Sequence, residues 1–291
     1  MKPTIGAALL STLMLHASAT GSVADRAERC DAILAAMPAE VVVPAGMTTL
    51  GSDRHGPEEA PHRRERVAGF AIDRFEVTNA QFAAFVAATG HVTHAEREGG
   101  AVFAVPSQAG GGWWRLDRDA DWRHPHGSGS RTDLKAPVVQ VTRDDALAYA
   151  RWAGRDLPTE AEWERAARGG LSDAEYSWGD APPTREQPRA NHWQGVFPAV
   201  DRGEDGHRGL APVGCFAPNG YGLHDMAGNA WELTRSAWSP DAAVIKGGSW
   251  LCADDYCIRY RPAARQAADL ALGTDHIGFR TVRRLKPSEG I

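Results

Sequence analysis

Lys246-Gly-Gly-Ser-Trp-Leu-Cys-Ala-Asp-Asp-Tyr-Cys-Ile-Arg-Tyr-Arg261 is the stretch on which the rest of this chain turns. It carries Cys252 and Cys257, two of the chain's four cysteines, five positions apart. A Gly-Gly-Ser turn stands before them and Arg-Tyr-Arg behind. Two thiols this close form a small disulfide, bind a soft metal or exchange electrons. The spacing is not C-x-x-C, which argues against a thioredoxin-like redox site, and no second ligand pair completes a zinc framework. Two thiolates without a further clear ligand suit Cu(I), which is soft and content with two or three sulfurs. A plain disulfide is the alternative that composition leaves open. Arg259 and Arg261 favour thiolate over thiol by charge. Ser249, Trp250 and Tyr256 either line a peptide groove or serve packing.

Around this stretch the composition is that of a globular protein, with 43% hydrophobic and 24% charged residues among 291. A net charge of −5 without a Lys/Arg cluster argues against a nucleic-acid partner. The first 19 residues read as an export signal: Lys2, an apolar run from Ile5 to Leu15, and Ala17-Ser18-Ala19 as a small-x-small cleavage site. No later run is long enough to span a membrane. The expected product is periplasmic or secreted, where disulfides persist. Cys30 and Cys215 are the candidates for a structural bridge, with free thiols as the alternative. Residues 20–38 form an N-terminal extension with a short helix around Cys30, 39–285 the domain, and 286–291 a tail.

Threonines followed three residues later by Gln, Asp or Glu mark three helix starts. Thr78 with Gln81 opens a helix that buries Phe82, Phe85 and Val86 and stops at Gly90. Thr142 with Asp145 opens one facing inward through Ala146, Tyr149, Ala150 and Ala153. Thr159 with Glu162 opens one running through Trp163, Ala166 and Ala167 to Gly169-Gly170. Val41 to Leu50 reads as a strand and turn, Ser52 to Glu65 as a charged loop, and Arg66 to Ile72 as a second strand. Residues 91–137, with Gly110-Gly111-Gly112 and Trp113-Trp114, are too long for an idle loop and read as functional or as concealed elements. The fold class that emerges is irregular, loop-rich α+β.

Two acidic, Gly-containing stretches, Asn191 to His207 and Asp225 to Glu232, offer the hard oxygens that calcium prefers, or are solvated turns. The eleven histidines form no zinc-protease motif, and no phosphate-binding or nucleophile-elbow signature appears.

The opening stretch closely resembles the active-site segment of formylglycine-generating enzymes, the sulfatase-modifying factors. Further motifs of that family stand in order. They include Leu157-Pro-Thr-Glu-Ala-Glu-Trp-Glu164, Asn191-His-Trp-Gln-Gly195, Gly203-Glu-Asp-Gly206, Asn219-Gly-Tyr-Gly-Leu223, Gly228-Asn-Ala-Trp-Glu232 and Ile277-Gly-Phe-Arg280. The resemblance implies a C-type-lectin-like fold with two calcium ions. One would sit on Asn191 and Asp205 with the His192 and His207 carbonyls, the other on Asp225 and Glu232 with the Gly228 and Ala230 carbonyls. Cys252 and Cys257 would hold Cu(I), with Ser249 in the catalytic set and Trp250, Arg259, Arg261 and His276 on the substrate. That substrate would be an unfolded sulfatase polypeptide, or another cysteine-containing peptide. Dioxygen would oxidise the cysteine of a Cys-x-Pro-x-Arg segment to formylglycine, through a thioaldehyde that hydrolyses. A monomer is expected. His276 departs from the family's usual Asn, Leu233 from its usual Trp, and Pro262 and Thr281 stand where animal members have bridging cysteines. Two rival readings share the fold: a non-catalytic, exported protein-binding module, and an oxidase of a small peptide such as a siderophore precursor.

Overall fold

The computed structural model describes Cys30 and residues 39–104 and 112–285. The leader, the helix expected around Cys30, Gly110, Gly111 and the 286–291 tail lie outside the described residues, apart from Cys30 itself. Cys30 forms a disulfide with Cys215.

Helices α1 (Asn79–Thr89), α2 (His94–Glu98), α3 (Arg143–Trp152) and α4 (Glu160–Ala167) all begin at a threonine in a complete capping box. The hydroxyls of Thr78, Thr93, Thr142 and Thr159 accept from the third helical amide, and the side chains of Gln81, Glu96, Asp145 and Glu162 reach back to the cap's own N–H. The Thr93 helix was concealed in the long 91–137 region although it carries the same signal. Phe82 and Phe85 of α1 meet Tyr149 of α3, with ring centroids 6.0 and 5.6 Å apart. Ala153 is exposed and caps α3 instead of joining its buried face.

Short strands complete the frame. β1 (Glu40–Val43), β4 (Phe70–Asp73) and β13 (Val282–Arg284) form one antiparallel sheet. β9 (Trp231–Ser239), β10 (Ala242–Lys246), β11 (Arg265–Asp269) and β12 (Ile277–Gly278) form another in the order β11-β10-β9-β12. Three two-stranded units stand apart: β2 (Gly46–Leu50) with β3 (Arg63–Val67), β5 (Gly100–Phe103) with β6 (Trp114–Asp117), and β7 (Gly195–Val196) with β8 (Val200–Asp201). The single strand expected over 66–72 is therefore two, broken at Ala68-Gly69, and the charged loop ends at His62, just before β3 begins. The reason is that β3 is polar and pairs with β2 at the surface, whereas Phe70 to Ile72 are buried in the core.

Buried charge joins these layers. Glu232 on β9 accepts two parallel bonds from Arg280, each 2.7 Å, and one from Trp163 Nε1 on α4 at 2.7 Å. Lys246, at the end of β10, is fully buried; its Nζ donates to Glu164 of α4 at 3.0 Å and to the Ala263 carbonyl at 3.2 Å. Glu164 also accepts from Arg168 at 2.7 Å and from the Gly51 amide at 2.9 Å. Removing one member of such a set strands the others in low dielectric. Glu164→Ala is therefore expected to lose about 3–5 kcal/mol of stability in guanidinium denaturation. A loss under about 1 kcal/mol would show that Lys246 finds water or another partner.

Candidate active site

Beyond Lys246 the chain turns through Gly247 and Gly248, at φ 98° and 75°. A Cβ on Gly248 would lie 2.8 Å from the Arg259 carbonyl oxygen and from Tyr260 Cα, so only glycine lets the two arms of the thiol loop close here. The Cys252 amide donates to the Ser249 carbonyl at 2.9 Å, and the Cys257 amide to the Ala253 carbonyl at 2.8 Å. These local turns bring both sulfurs to one point, 3.3 Å apart and not bonded as a disulfide.

The two thiols differ. Cys252 is buried, which pushes its pKa well up, and its neighbour Cys257 adds to this. Cys257 is half-buried and lowered to about 7, first by the hydrogen bond from Cys252 and then by the Arg259 charge. Cys252 is thus the thiol that donates and Cys257 the thiolate that accepts. Arg259 Nη1 lies 3.8 Å from Cys257 Sγ and 3.3 Å from Gln266 Oε1, while its Nη2 donates to Glu58 at 3.1 Å.

The sulfurs line a cavity of about 150 Å³. Phe103 and Trp114 of the β5–β6 unit, Trp113, Phe197 and Tyr256 wall it, and Ser249, Arg259, Gln266 and His276 supply polar atoms. Tyr256 stacks on Phe197 at 4.7 Å, and Trp113 meets both rings edge-on. His276 is buried against Trp114, and burial lowers its pKa to about 4 despite Asp275, so it is a neutral imidazole. Its Nδ1 pairs with Thr274 Oγ1 at 2.9 Å, and among the described residues Nε2 has no partner.

Of the residues singled out from sequence, Cys252, Cys257, Ser249, Arg259 and His276 come together here. Trp250 and Arg261 do not. Trp250 is buried beneath the wall, packed with Trp193, Leu251 and Phe103, and its Nε1 donates to the Asp275 carbonyl. Arg261 is buried in a two-bond pair with Glu59, so its charge is already neutralised. The wall residues Phe103, Trp113, Trp114 and Phe197 were not assigned from sequence. The Trp113-Trp114 pair inside an overlong loop was the available signal; Glu58, Glu59 and Gln266 had none.

A model of the sulfatase-modifying factor enzyme 1-like domain matches residues 28–285. The chain belongs to that family. It is 46% identical over 279 residues to the formylglycine-generating enzyme of Thermomonospora curvata, covering 82% of this chain and 91% of that one. It is 44% identical over 289 residues to that of Mycobacterium tuberculosis, covering 83% and 96%. A mouse member named inactive C-alpha-formylglycine-generating enzyme 2 is 42% identical over 267 residues, covering 84% and 85%. Among solved structures, PvdO from Pseudomonas aeruginosa aligns with TM-score 0.62 at 26% identity over 84% of this chain and 94% of that one. The family's irregular, helix-poor fold is thus the fold seen here.

Among the described residues no group of three or more His, Cys, Asp or Glu is placed to hold a metal. Candidate metals therefore rest on the thiol pair, or on carboxylates with carbonyls and amides. At the first such set, Asp205 Oδ2 and the His192 carbonyl converge on one donor, the Gln194 side-chain amide. Asn191 Nδ2 donates to Gly209 and Asn229, leaving its Oδ1 unengaged among the described residues. At the second set, Asp225 accepts from the Gly214 amide at 2.6 Å, and burial raises its pKa to about 6. Among the described residues Glu76 beside it accepts only from Asn229 and the Ala230 amide, while Glu232 is committed to Arg280 and Trp163. Three buried carboxyls, Glu76, Asp225 and Glu232, thus face the Arg280 guanidinium, and burial together with their mutual repulsion pushes the Glu76 pKa well up.

The thiolate is the nucleophile, so reactivity climbs as pH passes the thiol's pKa. Iodoacetamide on the reduced, metal-free protein is expected to label Cys257 with a midpoint near pH 7, about where its pKa falls, while Cys252 stays unlabelled. Peptide mass spectrometry reads the result; equal labelling of both would refute the assignment of thiol and thiolate.

Proposed function

We propose that this chain oxidises a cysteine in a Cys-x-Pro-x-Arg segment of a sulfatase polypeptide to formylglycine, using Cu(I) and dioxygen. The observation that carries this is the pair of unbridged thiols at one end of an aromatic cavity, in a member of the sulfatase-modifying factor family. Relatives named inactive are about as similar as active ones, so identity alone does not separate catalysis from a binding role. The thiol pair favours catalysis.

Cu(I) fits the donors present: two soft sulfurs within reach of one ion, one of them already a thiolate near neutral pH. Bound there, copper would supply the activation of dioxygen. The chain's own residues do the rest. Arg259 balances the Cys257 charge, the Ser249 amide donates to Cys252 Sγ at 3.5 Å, and Phe103, Trp113, Trp114, Phe197 and Tyr256 exclude water around the entering side chain. His276 stays neutral and presents an imidazole nitrogen where the resemblance led one to expect an amide.

Calcium suits the oxygen donors of the first set, Asn191, His192, Asp205 and His207, and those of Asp225, Gly228 and Ala230 in the second, where Glu232 would have to share its oxygens with Arg280 and Trp163. A divalent cation would offset the buried carboxylates of the second set and replace the Gln194 donor at the first. EGTA is expected to lower Tm by several degrees and added Ca²⁺ to restore it, as for any ion bound only by the folded state. An unchanged Tm would remove calcium from the description.

The deciding measurement loads the mature protein with Cu(I), adds a Cys-x-Pro-x-Arg peptide in air, and follows the aldehyde by mass spectrometry. Cys252→Ser and Cys257→Ser should each abolish Cu(I) binding and turnover. Stoichiometric copper without conversion would exclude this substrate and favour a small peptide at the same site. No copper binding would favour the non-catalytic module.

A further inference from the structure

A second cavity, of about 450 Å³, lies between the β2–β3 unit and the C-terminal end of α4. Its lining includes Arg64, Arg165 and Arg168 and no acidic residue. Arg168 is buried and paired with Glu164, and it also donates to the Ala174 and Gly51 carbonyls at 3.4 Å; among the described residues its buried Nε has no partner. Arg165 is also buried. It donates to the Pro44 carbonyl from Nε at 2.9 Å and Nη2 at 2.6 Å, and to the Met47 carbonyl from Nη1 at 3.1 Å. Among the described residues neither Arg165 nor Arg64 has a carboxylate partner. Glu65, the neighbour of Arg64, pairs instead with Arg63.

Hydroxyls complete the lining. Thr49, Ser172 and Tyr221 face the same space, and no protein group among the described residues bonds the Tyr221 hydroxyl. Met47 and Leu171, both large and exposed, form an apolar edge. Guanidinium forks match tetrahedral oxyanions in two-bond geometry, and hydroxyls add donors around them. A volume in the range of small-molecule sites leaves room beyond the anion, beside Met47 and Leu171.

We propose that this cavity binds a small phosphate or sulfate oxyanion, free or as the monoester of a small organic group, independently of the thiol site. Arg64 grips the anion, Arg165 adds a buried charge that no carboxylate neutralises, and Tyr221 and Thr49 are the hydroxyl donors, while Arg168 stays committed to Glu164. Arg165 also ties the turn before β2 to α4, so it is a poor first target for mutation. Arg64 is exposed on β3 and can be removed without disturbing the core.

The test is calorimetric titration of the full chain at fixed ionic strength with two probes, inorganic phosphate and phenyl phosphate. Saturable binding at one site is expected, weakened about tenfold or more by Arg64→Ala and by less in Tyr221→Phe, with Tm unchanged in both. Tighter phenyl phosphate would assign the ligand as a monoester, and equal affinity as the free ion. Two results would overturn the proposal: no saturable binding of either probe, or binding that both variants leave intact. Because the titration uses metal-free protein and no peptide, it stands or falls apart from the oxidase reading.

Discussion

The loop that carries the two thiols is held at both ends by buried ion pairs. Lys246 at its start pairs with Glu164 on α4, and Arg261 at its end pairs with Glu59 in the short 3-10 turn Pro57–Glu59. Neither pair is a cheap contact, since taking charges from water costs several kcal/mol per ion before the pair returns any of it. What the pairs provide is position. Between these fixed ends, Gly247 and Gly248 and the turns around Ser249 and Ala253 leave the sulfurs little room except beside each other. The loop is thus an irregular segment made specific by its anchors, which suits a fold with few long strands.

The same arrangement separates two arginines that look equivalent in Arg-Tyr-Arg. Arg261 is consumed by its anchor. Arg259, two residues earlier, stays part-exposed and divides its donors among Glu58, Gln266 and the Cys257 sulfur. Glu58 and Glu59 are neighbours, so one short turn clamps the anchor and orients the charge beside the thiolate. The asymmetry between the sulfurs follows from the hydrogen bond that Cys252 gives Cys257, from burial and from this one guanidinium. Cys252 stays a thiol because it lies in the core cluster; Cys257 becomes the thiolate because it lies at the edge.

The aromatic wall belongs to a different part of the chain. Phe103 is fixed by its amide to the buried Asp275 carboxylate at 3.0 Å, and Asp275 is the residue before His276. One carboxylate therefore sets the β5–β6 unit against the imidazole. Thr281, where animal members are expected to have a cysteine, instead bonds Asp73 through its amide at 2.7 Å and through its hydroxyl, joining β4 to β13 without a disulfide.

The sequence by itself determined what short range controls. Helix starts were legible because a capping box closes within four residues, and Thr78, Thr142 and Thr159 lie where that pattern put them; Thr93 carries it too and was hidden only by the length of the surrounding region. The thiol pair, its soft donor chemistry and the motifs of the family were likewise legible residue by residue. Only the tertiary structure decided which side chains face the sulfurs. Glu58 and Arg259 are 201 positions apart, Glu59 and Arg261 are 202, and Phe103 and Asp275 are 172. No local periodicity encodes such partners. They are chosen by how the layers pack, because a buried charge or amide must take whichever partner the packed layers bring to it.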